Sequence, residues 1–267
     1  MQDIRDLVFR DICGKRFQAV LLAEREGILS GVEDAAEIAR DLGVEWSCDC
    51  PEGGKLSAGQ VFARVTAGPK EMAMAEERLI GALAKTSGIA TAAHRAVTLA
   101  AGKIQIVSGS WKKMPPGMKT AVRRAIVTGG AVFRICEPPM LYMDKNFVTM
   151  FGSVKATLDA VAGLKDTTKV IQIRGQKDSV GEETLEALLG GGNIFMVDTG
   201  RLQDVDVCLE VLKRENARER VRVAYAGNVR LADIPQLADR GIDLLCIGKE
   251  IVDAPLLDMK LNVLEEV

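Results

Sequence analysis

From residue 104 onward the chain repeats one two-part rhythm, and that rhythm restricts the fold more than any other feature of the sequence. Short apolar runs fall at IQIV (104–107), VFRI (132–135), MLYM (140–143), VIQIR (170–174), NIFMVD (193–198), VRVAYAG (221–227) and DLLCIG (243–248). Helical spacing fills most of the gaps, as in VKATLDAVAGL, EETLEALLG, DVDVCLEVLKRE and LADIPQLADRG. Strand patterns that alternate with helix patterns argue for parallel βα units, because a parallel pair needs a crossover that returns the chain to the same end. Their number suits an α/β barrel, with a doubly wound open sheet as the alternative.

The part before residue 104 reads differently. FQAVLLA (17–23) and VFARVTA (61–67) look like strands, and Gly27–Gly31 like a turn. VEDAAEIARDLG (32–43) has helical spacing, with Gly43 placed to stop it. A glycine-rich connection, PEGGKLSAG (51–59), follows, and then a long helical stretch from about Pro69 to Ala101, interrupted near Ser87-Gly88. The tail, APLLDMKLNVLEEV, comes after the last βα unit and is free to return to the first domain. The expected division is therefore residues 1–103, completed by about 253–267, and a barrel over 104–252.

Charge and cysteine content exclude several classes of function. The formal net charge is −2 and no long run of one sign occurs, so neither a nucleic-acid nor a membrane surface is expected. The N-terminal MQDIRDLVFRDICGKR lacks the apolar core of a signal peptide, and the apolar runs fall short of the roughly 20 residues that cross a bilayer. A cytoplasmic protein is expected. Of the six cysteines only Cys48 and Cys50 are close, with no second pair at zinc spacing, so reduced structural thiols are expected. His94 is the only histidine and lies in a helical stretch. This argues against a Ser-His-Asp triad or a histidine-rich metal site.

In α/β barrels ligands gather at the carboxyl ends of the strands, and phosphates at the loops after the late ones. Ala226-Gly227-Asn228 and Ile247-Gly248-Lys249 occupy such ends. Their glycines either admit a phosphate close to backbone N–H groups or only turn the chain. Ser108–Lys119 puts three lysines and two prolines in one loop after a strand, a stiffened cationic segment suited to phosphate or carboxylate. Asp198 and Asp144 each end an apolar strand. A carboxylate there needs a partner: either could hold Mg²⁺ over a diphosphate, and either could cap the next helix.

Taken in order, several segments resemble the quinolinate phosphoribosyltransferase family. ERLIGALAKTSGIAT, beginning at Glu77, resembles ERxxLNxLxxxSGIAT, and SWKKMPPGMK resembles DTRKTxPGLR. GGAVFR (129–134) is similar to GGGxxHR, LYMDKN (141–146) to LIKDNH, VIQIR to the IEVE strand and FMVDT (195–199) to IMLDN. YAGNV (225–229) and GIDLLCIG (241–248) resemble ASGGI and GVDYISVG. The likeness covers nearly the whole chain.

This resemblance implies an N-terminal α/β sandwich domain, closed by the C-terminal tail, and an incomplete α/β barrel. It implies a homodimer whose sites are shared across subunits. The implied reaction transfers 5-phosphoribosyl from 5-phosphoribosyl-1-diphosphate to quinolinate, or to a related nitrogen heterocycle or aromatic acid, with Mg²⁺ as cofactor. Carried over residue by residue, Lys113 and Asp198 are catalytic, with Asp198 on the metal side. Arg78, Lys112 and Arg134 bind the acceptor, and Gly227, Asn228, Gly248 and Lys249 bind phosphate. The chain also departs from the family pattern. Phe133 stands for its histidine, Met143 for a second lysine, Gln172 and Arg174 for the two acids of IEVE, and Asn228 for a glycine. The GDxT signature is hardly recognisable around Asp11-Ile12. Phe133, Met143 and Arg174 therefore imply an acceptor pocket that is less cationic and more apolar, and Arg174 implies a weaker metal site. Two other readings remain at this point: a non-catalytic phosphosugar- or nucleotide-binding relative of the same fold, and an unrelated barrel isomerase or aldolase.

Overall fold

Alternating burial along seven-residue strands and a 3.6-residue apolar stripe along helices build the first unit of the computed structural model, which describes residues 3–267. This unit comprises the described residues through Arg95, with Trp111–Ala131 and Ile251–Val267. Its strands are β1 (Phe17–Ala23), β2 (Gly27–Ile28), β3 (Glu45–Cys48), β4 (Lys55–Leu56) and β5 (Val61–Ala67). A short α1 (Ile4–Val8) precedes them, α2 (Val32–Leu42) lies among them, and α3 (Pro69–Ala100) follows. The tail forms a strand, Met259–Glu266, that pairs antiparallel with β1, with Phe17 opposite Glu266 and Ala23 opposite Met259. The sheet order is thus tail strand, β1, β5, β3.

Its core joins Ala19, Leu21, Phe62 and Val65 of the sheet to Ala35 and Ala39 of α2 and to Met72, Ala75, Leu79 and Leu83 of α3. The α3 residues recur at three and four, the spacing of a single buried stripe. Gly43 takes the left-handed conformation (φ 69°) and its N–H closes the end of α2 on Ala39 and Arg40 carbonyls, as its position indicated.

One expectation for this unit fails. The helix from Pro69 runs unbroken through Ser87-Gly88 to Ala100. Gly88 is there for close packing: a Cβ on it would lie 2.0 Å from the Pro255 carbonyl oxygen. Beside it, Ser87 Oγ accepts a hydrogen bond from Ser30 N at 2.9 Å and donates one to Ser30 O at 3.2 Å.

The second unit holds Ala96–Ser110 and Val132–Glu250. Six strands run parallel: β6 (Gln105–Val107), β7 (Met140–Met143), β8 (Thr168–Ile173), β9 (Ile194–Asp198), β10 (Arg222–Ala226) and β11 (Leu244–Cys246). Their order is β6-β11-β10-β9-β8-β7. The strands after β6 follow one another without reversal and the first lies beside the last, which is the winding of a barrel. A doubly wound sheet reverses direction in the middle. VFRI forms no strand. Only Val132 bridges, to Val107 of β6, and among the described residues the ring is open between that bridge and β7. The barrel is therefore incomplete.

Val107, Val170, Ile194, Met196, Ala224 and Leu244 fill its interior, with Met140, Tyr142 and Cys246 packed against them. Between the strands run α5 (Lys145–Phe151), α6 (Val154–Asp159), α7 (Val180–Leu189), α8 (Leu202–Arg214) and a single turn, α9 (Ile234–Leu237). The chain also forms α4 (Lys119–Thr128) in the first unit and α10 (Lys249–Val252) after β11. Among the described residues no helix is long and apolar enough to cross a membrane.

Gly88→Ala is expected to lower the unfolding free energy by about 1–3 kcal/mol, since the backbone at Pro255 cannot retreat as a side chain would. Equilibrium urea unfolding tests this, and an unchanged midpoint would mean the contact yields freely.

Candidate functional site

Parallel strands deliver all their carboxyl ends to one rim, so the loops after β8, β9 and β10 become neighbours. There they line an open cleft of about 580 Å³, formed by Arg174, Asp198, Thr199, Gly200, Gly227, Asn228, Arg230 and Asp233. Four of these residues, Arg174, Asp198, Gly227 and Asn228, were picked out by sequence.

Asp198 ends β9 with its side chain 30% exposed. Gln172 Nε2 donates to Asp198 Oδ2 at 2.5 Å, and Arg174 Nη1 lies 3.5 Å from the same oxygen. The other end of the Gln172 amide accepts from Lys145 N at 2.6 Å. A glutamate at 172 would have no proton to donate and would set two carboxylates against each other. Gln172 and Asp198 are therefore a matched pair, and the departure at Gln172 has a physical reason. Asp144 is a cap: it accepts from Asn146 N and Phe147 N at the start of α5.

Arg174 stands on a rigid footing. Glu183 of α7, only 2% exposed, accepts the backbone N–H groups of Arg174 and Gly175 (both 2.8 Å) on one oxygen. It accepts those of Gln176 (3.0 Å) and Lys177 (3.3 Å) on the other. Four donors on one buried carboxylate turn the loop into a nest closed from below. Gly175, at φ 63°, makes the turn possible. Arg174 Nε is buried and has no acceptor in the protein.

Gly227 has two duties. At φ 124° it admits no ordinary side chain, and a Cβ on it would sit 2.3 Å from Gly200 N. The β9 and β10 loops thus touch backbone to backbone along the cleft floor. Asn228 follows at φ 54°, a left-handed position that asparagine tolerates. Arg230 and Asp233 pair at 3.0 Å on the rim. Their side-chain hydrogen bond holds the guanidinium pKa above its ordinary value and the carboxyl pKa below its own. Leu231 N donates to Glu250 Oε2 at 2.6 Å, which ties the β10 loop to α10.

The other sequence-derived residues are placed elsewhere. Gly248 and Lys249 follow β11, the neighbour of β10, and do not line the cleft. A Cβ on Gly248 would meet Ser110 Oγ at 2.0 Å, so its glycine is a packing requirement. Phe133 and Arg134 follow the Val132 bridge, with the guanidinium 4.4 Å from the centre of the Phe133 ring. Arg78, Lys112 and Lys113 belong to the first unit and are exposed, Arg78 on α3 and the lysines in a tight turn over Ser110–Lys113. That turn is steadied by Arg123, whose guanidinium lies 4.9 Å from the Trp111 ring centre.

Met143 needs correction as a pocket residue. It is fully buried and lies on the opposite face of β7 from Tyr142, the residue that packs with the barrel interior. The substitution therefore falls between the sheet and its helices. Burial pushes the Tyr142 hydroxyl pKa up, and the nearby Cys246, Asp198 and Asp144 add to the effect.

Magnesium, the cofactor expected at Asp198, fits this donor set poorly. Hard divalent ions want oxygen ligands. Here the one carboxylate faces an amide N–H and a guanidinium where a second oxygen ligand would be needed beside it.

Comparison with known proteins gives a consistent picture. The family model "Quinolinate phosphoribosyl transferase, N-terminal domain" matches residues 4–87, and the corresponding C-terminal domain model matches residues 89–262. The nicotinate-nucleotide pyrophosphorylase [carboxylating] of Homo sapiens is 30% identical over 250 residues, covering 92% of this chain and 82% of that protein. The probable enzyme of the same name from Archaeoglobus fulgidus is 28% identical over 255 residues, covering 94% and 96%. The crystal structure of nicotinate-nucleotide pyrophosphorylase from Pyrococcus furiosus superposes with a TM-score of 0.82 at 20% identity, covering all of this chain and 75% of that one. The Francisella tularensis structure of that name gives 0.81 at 19% identity, covering 98% and 94%.

Glu183→Gln is expected to cost about 2 kcal/mol or more, because a buried amide cannot accept from four N–H donors with both of its ends. Amide hydrogen exchange at Gly175–Lys177 should quicken in the same variant; unchanged protection there would remove Glu183 from this role.

Proposed function

Since this chain belongs to the quinolinate phosphoribosyltransferase family, we propose that it transfers the 5-phosphoribosyl group of 5-phosphoribosyl-1-diphosphate to quinolinate or a related nitrogen heterocycle or aromatic acid. The cleft at the β8–β10 strand ends is the observation that carries this reading, since it joins glycine-lined backbone to a fixed guanidinium, the pieces that phosphate recognition needs.

In the reaction the lone pair of the ring nitrogen forms a bond to C1 of the ribose, while the bond from C1 to the diphosphate oxygen breaks and its electron pair leaves on diphosphate. With quinolinate the ring 2-carboxylate departs as CO₂, and the pair left on the ring carbon takes up a proton. Little covalent work falls to the protein. Its task is to hold the two substrates in line and to stabilise charge on the leaving group. Gly227 and Asn228 receive the 5-phosphate on backbone N–H groups, and Lys113 stabilises the departing diphosphate. Lys112, Arg134 and Phe133 define the acceptor side. Gly248 and Lys249, after the next strand, extend the phosphate rim.

Arg78, exposed on α3, reaches the acceptor carboxylate across a homodimer. The apolar character of Phe133 suits an acceptor with fewer carboxylates than quinolinate as well as quinolinate itself. The six free thiols suit a reducing, cytoplasmic compartment.

Incubation with 5-phosphoribosyl-1-diphosphate and quinolinate should release nicotinate mononucleotide and diphosphate. Lys113→Ala should lower kcat/KM by about 100-fold or more. Absence of diphosphate release with quinolinate and with monocarboxylate heterocycles would overturn the reading. Mixed dimers of Arg78→Ala and Lys113→Ala should regain activity that neither variant has, since one site per dimer would be intact; a site contained in one chain could not recover this way.

A further inference from the structure

The Asp198 corner holds a positive charge of its own. Arg174 Nη1 lies 3.5 Å from Asp198 Oδ2, and its Nε is buried without an acceptor in the protein. The other of the two family acid positions is filled by Gln172, whose amide holds Asp198 with one end and Lys145 N with the other. No pair of carboxylates remains here to share a divalent ion. The guanidinium is not loosely placed, since the backbone N–H of Arg174 and those of the next three residues all end on Glu183.

A guanidinium carries a permanent charge and five N–H donors in a plane that matches two phosphate oxygens at once. It can neutralise an aspartate and still present N–H groups to a diphosphate, which are the two services a divalent ion would render at this corner. We propose that Arg174, positioned by Glu183, takes the place of a divalent cation at Asp198, so that the protein binds free 5-phosphoribosyl-1-diphosphate without a protein-held metal. This rests on the phosphoribosyl reading above and adds to it the charge state of the ligand that the site accepts.

The test is calorimetric titration with 5-phosphoribosyl-1-diphosphate, in EDTA and again in excess Mg²⁺. The expected result is binding in EDTA within about tenfold of that in magnesium. Arg174→Glu should lose about 100-fold in EDTA and recover on addition of Mg²⁺, because it rebuilds a carboxylate pair. Thermal melting without substrate supplies a second readout. Magnesium should raise the midpoint of Gln172→Glu/Arg174→Glu, and leave the native chain unmoved. Binding by the native chain only when magnesium is present would overturn this inference and leave the phosphoribosyl reading standing. Native affinity in EDTA from a folded Arg174→Glu protein would also overturn it. No binding in either medium would overturn both.

Discussion

Gln172 joins three strand ends with one amide. Its oxygen receives the N–H at the start of α5, just after β7, while its nitrogen holds the carboxylate that ends β9, and the residue itself lies in β8. The Asp198 side of the cleft floor is held by this bridge. Asp198 is turned toward β8 by it, Arg174 two residues on meets Asp198 because of it, and the β10 loop then packs against the turn after Asp198 through Gly200 and Gly227. An amide accepts on one side and donates on the other without carrying a charge. Glutamine at 172, in a place where the resemblance leads one to expect an acid, is thus a requirement of the surrounding geometry and more than a lost ligand.

The same logic separates what could be read along the chain from what could not. Strand positions were legible because period-2 burial and short apolar runs are local signals: FQAVLLA and VFARVTA coincide with β1 and β5 residue for residue. Gly43 was legible because a helix end has a local chemistry. Asp198 and Gly227 were legible as strand-end residues once the barrel was inferred. Gly88 was misread because its role depends on Pro255, far away in sequence, and an intrahelical glycine looks the same whether it breaks a helix or admits a neighbour. VFRI was overread for a similar reason: four apolar-leaning residues do not reveal that pairing stops after one bridge.

Met143 shows a subtler limit. Matching a family motif assigns a column, while the pleat assigns a face, and here Tyr142 faces the interior. Counting alternation from Gln172 across the β7–β8 ladder, where Tyr142 stands opposite Val170, would have revealed this. Glu183 had no sequence signal at all. It sits in a run of helix-forming acids whose neighbour Glu182 completes the capping box with Ser179, and nothing local tells the buried carboxylate from the exposed one. Thr199, Gly200, Arg230 and Asp233 were likewise passed over, although a charge pair three apart directly after a strand end is a usable clue.

The tail strand has a consequence for how the protein is made. Ribosomes deliver the chain in order, and β1 emerges with its outer edge bare. Its partner, Met259–Glu266, is the last strand to appear, after the entire barrel has been translated. Throughout that interval an apolar strand with unpaired N–H and C=O groups is available to any passing extended segment. Sheet closure across nearly the full contour of the chain is also slow, because loop entropy must be overcome before the new pairs reward it. Biogenesis of this protein is therefore a race between barrel synthesis and edge-to-edge aggregation, in which the first sheet is begun early and sealed last.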